Sequence, residues 1–173
     1  MKLFYALVLA LSLVGCGYAP SSKFARVVVG ESVSTSVIVS QEDPQNSVLV
    51  KDAIDSAIIE VFRSTLTSKD SSDTHLTISS SNPRYTATAY DSNGYIVGYR
   101  MSINLNIKRD SKRGEAKTYR TAGQYDFSIE ARSIITDQQR FESIKIASQR
   151  AINAFLATVA AEGARDNKNK AEP

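Results

Sequence analysis

The chain has 173 residues, 21 Lys and Arg against 18 Asp and Glu, one cysteine, one histidine and no tryptophan. A formal charge of +3 is too balanced for a nucleic-acid binder. A single cysteine excludes an internal disulfide framework, and a chain this short points to one domain.

The first fifteen residues have the layout of a signal peptide: Lys2 supplies the positive charge, and an apolar run from Leu3 to Val14 is interrupted only by Ser12. That run is shorter than the ~20 apolar residues a spanning helix needs. Leu13-Val14-Gly15-Cys16 matches the bacterial lipobox. Its thiol is expected to take a diacylglyceryl group, the bond before it to be cut, and the new amine to be acylated, palmitate being a typical chain. Several acyl chains at ~0.8 kcal/mol per buried CH₂ make a stable anchor. Gly17 stands where Asp is the usual inner-membrane retention signal, which favours the outer membrane. Removing the leader with Lys2 leaves 20 basic against 18 acidic residues. Residues 16–25 form a lipidated Ser/Pro tether, and 26–163 a single domain.

Within that domain, Val33, Thr35, Val37 and Val39 alternate with Ser34, Ser36, Ile38 and Ser40, a strand pattern, with Gly30 as a bend or bulge before it. Asp43-Pro44 then opens a helix, and Val50, Ile54, Ala57, Ile58, Val61 and Phe62 make its apolar stripe to about Leu66. Leu76, Ile78, Tyr85, Ala87 and Ala89 alternate as a second strand, bent at Pro83. Asp91-Ser92-Asn93-Gly94 reads as a hairpin turn. Tyr95, Val97, Tyr99, Met101, Ile103, Leu105 and Ile107 then face a core, while Arg100, Ser102, Asn104, Asn106 and Lys108 face water. A turn over 110–114 leads to a strand carrying Tyr119, Thr121, Tyr125, Phe127 and Ile129, with Gly123 as a bulge or kink. The last helix starts at a cap on Thr136 or Asp137. Phe141, Ile144, Ala147, Ala151, Phe155 and Val159 form its stripe, and Gly163 its C-cap. Residues 164–173 are expected to be a disordered polar tail.

The order β-α-β-β-β-α predicts an α/β (α+β) two-layer sandwich: a four-stranded mixed sheet with two helices on one face. A right-handed crossover through the first helix makes the strands on either side of it parallel.

The inventory for catalysis is thin. His75, the only histidine, sits in a polar neighbourhood and reads as a surface residue. No spacing of His, Cys, Asp and Glu suggests a metal site, no glycine-rich loop suggests a phosphate-binding cofactor, and no cofactor is expected. The expectation is a protein that is not an enzyme; a periplasmic hydrolase with a hidden carboxylate pair is the remaining catalytic option. The distinctive feature is a basic hairpin. Lys108, Arg109, Lys112, Arg113, Lys117 and Arg120 crowd one turn, with only Asp110 and Glu115 against them, and Arg100 shares the wet face with Lys108. Such a cluster suits lipid phosphates, with Arg able to hold them in bidentate fashion. It equally suits a solvated hairpin whose charges discourage edge pairing.

Taken together, Cys16-Gly17-Tyr18, the Asp43-Pro44 helix start, Asn93-Gly94-Tyr95 leading into Tyr99-Arg100-Met101, and Arg150-Ala151 in an Ala-rich closing helix resemble the LPS-assembly lipoprotein family (LptE, also called RlpB). The resemblance covers nearly the whole mature chain to Gly163, by element order more than by identity. It implies an outer-membrane lipoprotein that plugs a large LPS-assembly β-barrel, assists its assembly and binds lipopolysaccharide during passage to the surface. Familiar members carry basic residues near the second hairpin turn and before the last helix; here those places hold Asp91-Ser92 and Thr136, so those roles are not carried over. Lipopolysaccharide contact is instead expected at Arg100, Lys108, Lys112, Arg113, Lys117 and Arg120. The alternative is an auxiliary lipoprotein of a lipid-trafficking ABC transporter.

Overall fold

The computed structural model describes residues 28–38, positions 48, 51, 52, 55, 56 and 59, and residues 65–112, 114 and 116–171, with side chains to 167. Its elements are β1 (Ser32–Val37), β2 (Thr65–Leu66), β3 (Thr74–Ser80), β4 (Arg84–Tyr90), β5 (Ile96–Ser111), β6 (Lys117–Ser128) and α1 (Asp137–Ala171).

The β-branched alternation of the first strand does produce β1, and it runs parallel to β3, pairing Val33 with Thr74 through Val37 with Ile78. Gly30, just before it, has φ +86°, a turn conformation that L side chains rarely adopt. The helix expected from Asp43-Pro44 falls largely outside the described residues; at 48, 51, 52, 55 and 56 the chain is helical. Its expected end needs correction. Thr65–Leu66 is a short strand lying parallel to β1, with the Thr65 amide donating to the Glu31 carbonyl at 3.1 Å.

The sheet has six strands rather than four. Part of the difference is β2. The rest is Pro83, which divides the expected bent strand into two, because proline cannot donate a ladder hydrogen bond. β3 pairs with the distal half of β5 (Thr74 opposite Ser111, Ser80 opposite Leu105), and β4 with the proximal half (Arg84 opposite Ser102, Tyr90 opposite Ile96). β6 pairs along β5 from Gly98 opposite Ser128 to Arg109 opposite Lys117. Since β6 occupies one side of β5, β3 and β4 succeed one another along the other.

Period-2 alternation in β5 sorts its side chains as the sequence predicts from Met101 onward; Tyr95, expected on the core face, precedes the strand in the turn and is 39 % exposed. Met101, Ile103, Leu105 and Ile107 are buried to 1 % exposure or less, while Arg100, Asn104, Asn106 and Lys108 are exposed. The apolar face meets α1, which buries Ile144, Ala147, Ala151, Ile152, Phe155, Leu156 and Val159. At a rise of 1.5 Å per residue this 35-residue helix is about 52 Å long. It begins with a reciprocal cap: the Thr136 hydroxyl accepts from the Gln139 amide at 3.2 Å, and Gln139 Oε1 accepts from the Thr136 amide at 3.1 Å.

Three helix and strand expectations change. Phe141 is exposed: buried positions repeat at 144, 147–148, 151–152, 155–156 and 159–160, and the preceding site on that column is 140, where Arg140 lies 5.9 Å from the Tyr85 ring. Gly163 does not cap the helix; it continues the buried column, and α1 runs on to Ala171 through the stretch expected to be a disordered tail. Gly123 is neither bulge nor kink, because the β5–β6 register passes through it unbroken. A Cβ there would stand 1.8 Å from the Ala147 carbonyl oxygen, so glycine is what lets the helix backbone lie directly on the strand.

Candidate binding surface

The uncovered face of the sheet is built by cross-strand rows. Ser79 of β3, Asn106 of β5 and Arg120 of β6 stand side by side, and the neighbouring row runs from Ser81 through Asn104 to Ala122. One row further, Arg84 faces Ser102 and Gln124. Where β3 gives way to β4, the residues 79–81, 104–106 and 120–122 line an open hollow of about 410 Å³. The small Ala122 keeps its floor low. Ser81 closes the gap left by Pro83: its amide donates to the Asn104 carbonyl at 2.9 Å, and its hydroxyl oxygen accepts from the Asn104 amide at 3.1 Å.

The six basic residues singled out in the sequence do not form one site. Arg100 donates from Nε and Nη2 to the two oxygens of Asp126 at 2.7 and 2.8 Å, a bidentate cross-strand pair that raises the arginine and lowers the aspartate from their ordinary pKa values. Lys108 pairs with Asp110 at 3.0 Å. Lys112 Nζ donates to the Asp70 carbonyl at 2.8 Å, fastening the loop before β3. Arg113 lies outside the described residues. Lys117 points to the helix side, 2.8 Å from Glu162. Arg120 stays on the open face with no ion pair among the described residues. Arg84, which sequence reasoning passed over, is in the same condition. Its membership of this face follows from pairing with Ser102, a register that the sequence does not display.

Lys117 belongs to a second cluster, which is structural. Glu162 of α1 accepts from Lys117 at 2.8 Å, from the Tyr119 hydroxyl at 2.7 Å and from Arg109 at 3.5 Å. Arg109 is 7 % exposed and also donates to the Val28 carbonyl at 3.4 Å. Burial alone raises the Glu162 carboxyl, but the donated hydrogen bonds and the nearby cations outweigh it and hold the group below its usual range. Burial, then the bond to Glu162, pushes the Tyr119 hydroxyl far above the ordinary tyrosine value. The cluster ties the C-terminal half of α1 to β5 and β6.

His75 is not a surface residue, as its sequence neighbourhood suggests, but 8 % exposed. Its Nδ1 is 2.7 Å from the Ser34 hydroxyl, which is also 2.8 Å from the Ser72 hydroxyl. Burial, and then the charge of Lys69, lowers its pKa from the ordinary 6.5. Ser34, His75 and Asp110 do stand in one row across β1, β3 and β5. Ser34, however, is 3 % exposed and already engaged between Ser72 and His75, so it ties the loop over 67–73 to the sheet and presents no nucleophile to solvent. Among the described residues, no group of three His, Cys, Asp or Glu side chains could hold a metal ion, and no helix is long and apolar enough to cross a membrane.

A family profile described as lipopolysaccharide-assembly (LptE) matches residues 34–159, which is most of the chain. The chain belongs to the LptE family. No curated protein matches it by sequence. Among solved structures, the LptE-family chain is similar to rare lipoprotein B of Shewanella oneidensis at 14 % identity and a TM-score of 0.51, covering 79 % of this chain and 98 % of that one. It is similar to lipoprotein B of Nitrosomonas europaea at 11 % identity and a TM-score of 0.51, covering 78 % and 84 %. A minor lipoprotein of Acinetobacter baumannii matches at 6 % identity and a TM-score of 0.50, covering 78 % and 94 %. At such identities the likeness is one of fold.

Membership assigns this LptE protein a role in lipopolysaccharide assembly. The two places where familiar members carry basic residues have other work here. The Asp91 carboxylate accepts from the Asn93 and Tyr95 amides at 2.9 and 2.8 Å and shapes the β4–β5 turn, in which Gly94 has φ +82°. Thr136 caps α1.

Proposed function

We propose that this LptE protein is an outer-membrane lipoprotein, held by lipid on Cys16, that plugs the lipopolysaccharide-translocating β-barrel, assists its assembly and contacts lipopolysaccharide during insertion. The observation that carries the reading is the division of the sheet in a chain of this family: one face is apolar and packs under α1 along β5 and β6, and the other is left polar, with Asn104 and Asn106 exposed at its centre. A polar, uncovered face suits the wet interior of a large barrel, where an apolar face would favour aggregation. The lipobox supports a membrane-tethered chain. The proposal involves no reaction and no cofactor; the protein acts by occupying and orienting.

The test is affinity purification of the lipidated chain from outer membranes in mild detergent, with mass spectrometry of what accompanies it. A stoichiometric complex with one large β-barrel is the expected result. Recovery with inner-membrane transporter subunits instead overturns the plug reading and favours an auxiliary lipoprotein of a lipid-trafficking ABC transporter. A Cys16→Ala chain should lose membrane association; retention at the membrane contradicts the anchor.

A further inference from the structure

We propose that the hollow on the open sheet face, where β3 gives way to β4, is a binding site for a phosphorylated, hydroxyl-rich saccharide headgroup. Resting on the assembly role above, this places direct contact at Ser79, Ser81, Asn104, Asn106 and Arg120, with Ala122 as the floor; of the six basic residues singled out in the sequence, Arg120 alone takes part.

Three observations converge there. The first is charge. Two carboxylates in more distant rows of the same strands, Asp110 and Asp126, are already paired with Lys108 and Arg100. Arg120 and Arg84 have no ion pair among the described residues, and they bracket the hollow from its two sides. The geometry of four residues along a strand and two strand spacings puts them about 16 Å apart. An unpaired guanidinium with a fixed fork binds a phosphate through two parallel hydrogen bonds, which a lysine cannot do.

The second is hydrogen-bonding capacity. The side-chain amides of Asn104 and Asn106 make no hydrogen bond among the described residues, so each offers a donor pair and an acceptor. The Ser81 hydroxyl oxygen accepts from the Asn104 amide, which leaves its proton free to donate outward. Neutral donors and acceptors beside one cation match sugar hydroxyls beside a phosphate, and they match a simple phospholipid surface poorly.

The third is shape. The hollow of about 410 Å³ falls in the size range of small-ligand sites. It exists because Pro83 ends the β3 ladder and because position 122 is alanine. Its rims come from three strands of one sheet, so the groups are held on rigid elements.

The same chemistry could come from a lipid-borne headgroup or from a soluble sugar phosphate. Binding of the full lipidated chain is therefore measured against three probes: vesicles containing lipid A, vesicles of equal charge containing phosphatidylglycerol, and soluble glucosamine phosphate. Arg120→Ala should weaken binding to a saccharide probe at least tenfold, Arg120→Lys should restore it only in part, and Ala122→Leu, which fills the floor on an exposed face, should weaken it without changing the melting temperature. Lys145→Ala, on the exposed side of α1, should leave it unchanged. Selective loss with lipid A alone identifies the membrane-borne source, and selective loss with glucosamine phosphate the soluble one. Equal affinity of all variants, or an equal loss for phosphatidylglycerol, overturns the site and leaves only general charge attraction. A barrel complex that still forms while this happens keeps the assembly reading intact; a chain that binds the saccharide but captures no barrel does the reverse.

Discussion

Gly123→Ala tests the packing that keeps one face of the sheet covered and the other open. The added methyl would stand 1.8 Å from the Ala147 carbonyl oxygen and 2.8 Å from the Ala151 amide nitrogen. Both are backbone atoms of α1, so no side chain can swing aside. Ordinary contact needs 3.4 Å or more, and helix and strand must therefore part by about 1.6 Å along this line. That separation loosens Ile103, Leu105 and Phe155 in the layer between them, each 1 % exposed. Overpacking of this kind costs about 3 kcal/mol. For a domain of this size the melting temperature should fall by on the order of 10 °C. Gly114→Ala is the control, since nothing lies within 4 Å of a Cβ there. Thermal and urea unfolding of wild type and both variants provide the measurement. A Gly123→Ala loss below ~0.5 kcal/mol, the range of a neutral surface change, would falsify the close-approach argument.

Three further outcomes follow from the buried polar groups. Glu162→Ala removes the anion facing Arg109, Lys117 and Tyr119; leaving a guanidinium at 7 % exposure unpaired should cost about 2 kcal/mol in urea unfolding, whereas a cost indistinguishable from a surface substitution contradicts the tie between α1 and the sheet. Tyr119 has its folded pKa raised above the ordinary 10.0, so its contribution to stability is complete below that value and is lost as pH rises beyond it. In an absorbance titration one tyrosine should resist ionisation until the fold opens, and Tyr119→Phe should remove that late step; its persistence in the variant would assign it elsewhere. His75 has its folded pKa lowered from 6.5, so the unfolded chain takes up the proton first: stability is complete above 6.5 and falls as pH drops toward the folded value. His75→Gln should flatten that acid-side slope, and an unchanged slope would show that other groups cause it.

The legible part of this protein was the part governed by local alternation. Met101, Ile103, Leu105 and Ile107 are buried because every second residue of a strand faces one side, and that periodicity is written in the chain. The parallel pairing of β1 with β3 followed from the intervening helix pattern. What sequence could not show was distance between elements far apart in the chain. Gly123 looks like any strand glycine until Ala147 is placed over it, and Gly163 looks like a stop signal until its position on the buried column is known. Strand count failed at Pro83, where one bent strand and two successive strands have the same pattern. The basic hairpin misled for a related reason. Charge clustering in sequence says nothing of pairing, and Asp126, Asp110 and Glu162, which claim Arg100, Lys108 and Lys117, come from elsewhere or from the neighbouring turn. Arg120 was found and Arg84 was missed, because only the register of β4 against β5 brings Arg84 to the open face.

The proposed place of this LptE-family chain in lipopolysaccharide assembly is at the outer membrane. The most direct measurement is controlled depletion of the protein in its own cells, followed by pulse-labelled tracking of newly made lipopolysaccharide between the inner membrane and the cell surface. Surface arrival should fall while the label accumulates short of the outer leaflet, with recovery on re-expression of the wild-type chain. Undiminished surface arrival in depleted cells would contradict that placement.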